Sequence, residues 1–127
     1  MINMTKGDFL KLIIRVTANC NEDWPYARVR RQAEKIFEET MPKRVGWADR
    51  FVLEGYTVLM DHSVSYDTLR DPARDLDVNF LLPRKGMEMY VLQICRRFGL
   101  DKEQARQQVK IIMRPFGKKQ HLASVRL

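Results

Sequence analysis

Residues 87–113, MEMYVLQICRRFGLDKEQARQQVKIIM, constrain the fold more than any other stretch. Met87, Val91, Ile94 and Phe98 recur at the three-to-four spacing of one buried helical face. Gly99 follows where a helix needs a residue tolerant of positive φ just past its end. Asp101 is placed as an N-cap, with Gln104 three residues on as its capping-box partner. Ala105, Val109 and Ile112 then repeat the helical spacing. The string predicts two short amphipathic helices joined by a tight turn at Phe98-Gly99-Leu100.

This outline resembles the helix-turn-helix DNA-binding motif. The matching features are the small Cys95 four residues before the turn glycine, then Gly99, Leu100 and the small apolar Ala105. Gln108 departs from the pattern, because the motif usually carries an aliphatic residue there. The resemblance covers residues 87–113 and implies that the second helix reads DNA. An αα-hairpin with no nucleic-acid role produces the same string.

Charge adds to the motif. Residues 87–127 hold nine basic side chains, Arg96, Arg97, Lys102, Arg106, Lys110, Arg114, Lys118, Lys119 and Arg126. Against them stand three acids, Glu88, Asp101 and Glu103, so this third of the chain carries +6 of the net +7. Such asymmetry points to a polyanionic partner. A solvated basic face without a partner is the plain alternative. On a helical wheel Arg106, Lys110 and Arg114 lie opposite Ala105, Val109 and Ile112, with Gln107 beside them. Arg and Gln match guanine and adenine edges, while Lys102 and Lys110 suit phosphates. The candidate nucleic-acid-binding set is therefore Arg96, Arg97, Lys102, Gln104, Arg106, Gln107, Lys110, Arg114, Lys118 and Lys119.

The remaining chain predicts a mainly all-α fold, a single domain of five to six helices over residues 1–116, followed by a basic tail over 117–127. Thr5-Lys6-Gly7-Asp8 reads as the start of a first helix with Phe9, Leu12, Ile13 and Val16 inward. Asp23-Trp24-Pro25 opens a second, with Val29, Ala33, Ile36 and Phe37 inward, and Met41-Pro42 stops it. The apolar stretch 45–60 predicts a buried central helix, and a β-hairpin near 51–60 with a turn at Glu54-Gly55 is the alternative. Asp71-Pro72 marks the start of a short helix running to about Leu82, and Pro83-Arg84-Lys85-Gly86 a turn.

Several classes find little support. No apolar run approaches the ~20 residues of a membrane span. Lys11 and Arg15 interrupt the apolar part of the N-terminus, which does not read as a signal peptide. Cys20 and Cys95 lie far apart and lack metal-ligand spacing, so they read as two reduced thiols of a cytoplasmic protein. His62, Asp71, Asp75 and Asp77 raise a metal-dependent nuclease site, but N-capping and pairing to Arg70 and Arg74 account for most of these acids. No nucleophile triad, phosphate loop or HExxH sequence is present, so no catalytic residue, metal or cofactor is assigned. The expectation is a non-enzymatic DNA-binding regulatory or accessory protein, DNA before RNA, acting as a homodimer. The alternative is an adaptor or inhibitor that docks on an acidic protein.

Overall fold

The computed structural model describes residues 1–41 and 48–116. Among these residues the fold is mixed α/β and not all-α: five α-helices pack on a four-stranded antiparallel sheet. In chain order the elements are β1 (Ile2–Thr5), α1 (Lys6–Cys20), α2 (Tyr26–Thr40), β2 (Ala48–Leu53), β3 (Tyr56–Val64), α3 (Tyr66–Arg70), β4 (Asn79–Leu82), α4 (Arg84–Arg97) and α5 (Lys102–Met113). A 3-10 turn, Arg114–Phe116, follows α5.

Of the stretch 45–60 expected to form a central helix, residues 45–47 lie outside the described residues, and 48–60 instead belong to the β2–β3 hairpin. Leu53 pairs with Tyr56 across a two-residue turn in which Glu54 and Gly55 have φ of 51° and 81°. Two consecutive positive φ values make a type I′ turn, whose twist matches that of the flanking strands. Period two also explains the side chains. Phe51, Leu53, Val58 and Met60 point inward and are buried, whereas Val52, Thr57 and Leu59 point outward. The same apolar residues satisfy a helical count, so composition could not separate the two readings.

The short helix expected from Asp71 to about Leu82 is also absent. Asp71 accepts a hydrogen bond from the Ala73 N–H at 2.9 Å, closing an Asx turn rather than capping a helix. The chain then enters β4, where Phe80 and Leu82 are buried and Asn79 and Leu81 are exposed. β4 pairs with β1 on one side (Met4 opposite Phe80) and β3 on the other (Met60 opposite Phe80), giving the sheet order β1-β4-β3-β2. Nor is Pro83-Arg84-Lys85-Gly86 a free turn: Pro83 is the N-cap of α4, and Arg84 begins the helix. Proline suits a helix start because the first N–H groups have no intrahelical partner.

α1 lies at the centre. Its Phe9 ring stacks on Tyr90 of α4 at 5.2 Å and meets Phe37 of α2 and Phe80 of β4 edge-on at 6.1 and 5.8 Å. Phe80 in turn meets Phe51 of β2 at 5.3 Å. The buried residues of the strands and of α1, α2, α4 and α5 form one continuous core. The opposite face of the sheet carries the exposed Val52, Leu59 and Leu81.

The start of α1 is held by the segment between α3 and β4. Thr5 caps the helix by accepting from the Asp8 N–H at 3.0 Å. The Lys6 and Gly7 N–H groups donate to the carbonyls of Val78 and Leu76, both at 2.8 Å. The Lys6 side chain is buried at 1% exposure, and its Nζ donates to the carbonyls of Thr68, Asp71 and Arg74 at 2.7, 2.8 and 2.8 Å. Three donors meet three acceptors, so backbone oxygen offsets part of the cost of burying the charge.

Replacing that ammonium removes one hydrogen bond from each of three carbonyls; those of Thr68 and Asp71 keep the Asp71 and Arg74 N–H groups, whereas that of Arg74 loses its donor. Lys6→Met should therefore lower the unfolding free energy by about 3 kcal/mol in urea denaturation, and a loss below about 0.5 kcal/mol would contradict this account. Burial also pushes the Lys6 pKa down to about 8, against the opposing charges of Asp71 and Asp75. The unfolded chain keeps the proton up to about 10.4. Between these values the folded state holds fewer protons, so this group adds stability as pH rises. The stability gap between wild type and Lys6→Met should widen from about pH 8 to pH 10, measured by urea titration at each pH.

Candidate nucleic-acid interface

The junction between α4 and α5 is closed by local hydrogen bonds at both ends. At the end of α4, Gly99 adopts φ of 84°, its N–H donates to the Arg96 carbonyl at 3.0 Å, and the Leu100 N–H donates to the Cys95 carbonyl at 3.1 Å. These two bonds form a Schellman motif. At the start of α5, the Asp101 carboxylate accepts from the Gln104 N–H at 2.8 Å, and the Gln104 Oε1 accepts from the Asp101 N–H at 3.1 Å. At the far end of the pair, the Arg84 guanidinium donates to the Phe116 carbonyl.

α5 buries Ala105, Ile112 and Met113 in the core, with Val109 half-buried. Gln108, at the position that departs from the helix-turn-helix pattern, is half-buried and accepts a hydrogen bond from Asn19 Nδ2 of α1 at 3.1 Å. A polar side chain therefore holds α5 against α1 where an aliphatic one would otherwise pack.

The sequence candidates separate into three groups. Lys102, Arg106, Lys110 and Arg114 are exposed, and among the described residues none of them forms an ion pair. Arg106, Lys110 and Arg114 follow at four-residue intervals along one side of α5 and the turn after it. Arg96 is likewise exposed, on the last turn of α4.

The second group is engaged within the protein. Arg97 pairs with Glu39 of α2, and its hydrogen bond draws the Glu39 carboxyl below the usual carboxylate range. Gln104 is committed to the capping box. Gln107 donates to Glu103 at 3.3 Å, an exposed contact that a ligand can displace. The third group, Lys118 and Lys119 with the expected basic tail, lies outside the described residues.

The fold also brings in cations from other parts of the chain. Lys85 on the first turn of α4 joins Arg106 and Lys110 around an open groove of about 490 Å³ between α4 and α5. Its floor is apolar, with Met89, Leu92 and Val109, and its rim includes Glu88 and Glu103. On the other flank of α5, Lys11 and Arg15 of α1 border a hollow that also touches Ile112, Pro115 and Phe116. Lys11 and Arg15 are four residues apart on the outer side of α1, a spacing visible in the sequence, but nothing local shows that α1 lies beside α5.

The acidic segment does not gather into a metal site. Asp61 receives the Asn79 N–H and Nδ2 groups at 3.2 Å and lies 2.8 Å from His62 Nδ1, while Asp71 closes its own turn. Among the described residues no three His, Cys, Asp or Glu side chains converge on a point where a metal ion could sit. No described helix is long and apolar enough to cross a membrane. The chain matches no protein-family model, no curated protein and no solved structure at a significant level.

Proposed function

We propose that this protein binds nucleic acid, duplex DNA in the first instance, through the exposed side of α5. The observation that carries this reading is the row Lys102, Arg106, Lys110 and Arg114. These cations have no internal counter-ion among the described residues, and they stand on a helix fixed at both ends. Unpaired cations on a rigid element neutralise phosphates without first breaking internal ion pairs, and release of condensed counter-ions supplies most of the affinity. Lys102 and Lys110 take phosphate-contacting roles, while Arg106 and Gln107 have the donor patterns that read base edges. Lys85 on one flank, and Lys11 and Arg15 on the other, extend the positive surface along the backbone of a polymer.

One observation favours a second reading, an acidic protein partner. The apolar floor of the α4–α5 groove suits a helix that presents aliphatic side chains between carboxylates. Phosphodiester backbone has no use for Met89, Leu92 and Val109, so substitutions on that floor separate the two readings.

In fluorescence anisotropy with a labelled duplex, affinity should fall linearly with salt on a log–log plot, by about 0.9 per neutralised phosphate. Arg106→Ala/Lys110→Ala should weaken binding roughly tenfold and reduce the slope by about two. Arg31→Ala, a change at an exposed position on α2, should leave both unchanged. Absence of binding at low salt, or affinity indifferent to salt, would overturn the nucleic-acid reading. Loss of capture of an acidic protein on Met89→Glu, with duplex affinity intact, would establish the second.

A further inference from the structure

Cys20 and Cys95 are 75 residues apart in the chain, yet the fold places their sulfurs 3.8 Å from each other. Both are free thiols. Cys20 is the last residue of α1, and Cys95 lies in the last turn of α4. We infer that the two form a redox pair, a site where a low-molecular-weight disulfide such as glutathione disulfide oxidises both thiols to one intramolecular bridge between α1 and α4. The inference does not depend on what α5 binds.

Three features support it. Distance is the first: about 1.8 Å of closure brings the sulfurs to the ~2.05 Å of a disulfide. Position is the second. Cys20 is the last residue of α1 and is followed by Asn21 and an exposed turn over 22–23, so closing the gap asks for a change at a helix end and not within a helix body. Access is the third, because it orders the chemistry. Cys20 is half-buried, whereas Cys95 is completely buried. An oxidant therefore meets Cys20 first. The S–H of Cys95 stabilises the Cys20 thiolate and lowers its pKa, and the same contact together with burial pushes the Cys95 thiol up. The outer sulfur is the nucleophile and the inner one the resolving thiol.

The steps balance. The Cys20 thiolate attacks one sulfur of glutathione disulfide, forming a mixed disulfide and expelling one glutathione thiolate. The Cys95 sulfur, losing its proton to that thiolate, then attacks Cys20 Sγ and expels the second. Two protein thiols are oxidised by two electrons, one external disulfide is reduced to two thiols, and the two protons end on glutathione. Excess reduced glutathione runs the same steps backwards.

The test exposes the folded protein to glutathione disulfide and follows it by mass spectrometry, peptide mapping and thermal melting. Wild type should lose the mass of two hydrogens, yield a Cys20–Cys95 cross-linked peptide, and melt about 5–15 °C higher. Cys95→Ala should stop at a glutathionyl adduct on Cys20. Cys20→Ala should leave Cys95 unmodified. Wild type that stops at the Cys20 adduct, stays reduced, or bridges between molecules overturns the inference.

Discussion

The Phe9 ring touches one aromatic side chain from each of α2, β4 and α4, and the layers of the fold meet at that contact. Aromatic rings bury large areas and hold preferred edge and stacked geometries, so a single ring in contact with three others fixes orientations as well as distances. Phe80 passes the constraint across the sheet to Phe51. Around this joint the inner face of the sheet, α1, α2 and α4 share one continuous core. α5 joins the same core through Ala105, Ile112 and Met113, so the surface it presents depends on that shared packing.

Four helices were legible because their burial follows the three-to-four spacing over whole segments, as in Phe9, Leu12, Ile13 and Val16. The sheet was not. β1 and β4 are four residues each, too short for alternation to stand out, and β4 lies behind an Asp-Pro pair that imitates a helix start. In the hairpin the decisive sign was the pair Glu54-Gly55 with alternating Phe51, Leu53, Val58 and Met60 around it, a pattern that a helical count also fits. Whether such a segment is helix or strand is settled by its partners: β4 pairs with β3, and β1, from the start of the chain, pairs with the far side of β4.

The candidate site was legible in part for the same reason. Charge along α5 is a local property, so Arg106, Lys110 and Arg114 could be found from spacing alone. The fate of Arg97 could not, because its partner Glu39 lies 58 residues away on α2. Lys6 is the sharpest case. As a lysine beside a capping residue it looks like surface, yet it is the buried cation around which the chain from Thr68 to Arg74 is wrapped. Its three acceptors are main-chain carbonyls, which no side-chain pattern reports.

The α4–α5 junction satisfies its own backbone groups through the Gly99 turn and the Asp101–Gln104 exchange. A recognition element that is already shaped before encounter carries no disorder-to-order transition into association. On the proposed reading a partner of α5 would meet a preformed helix, so the cost of ordering would fall on the partner, and selectivity would follow from how well it conforms.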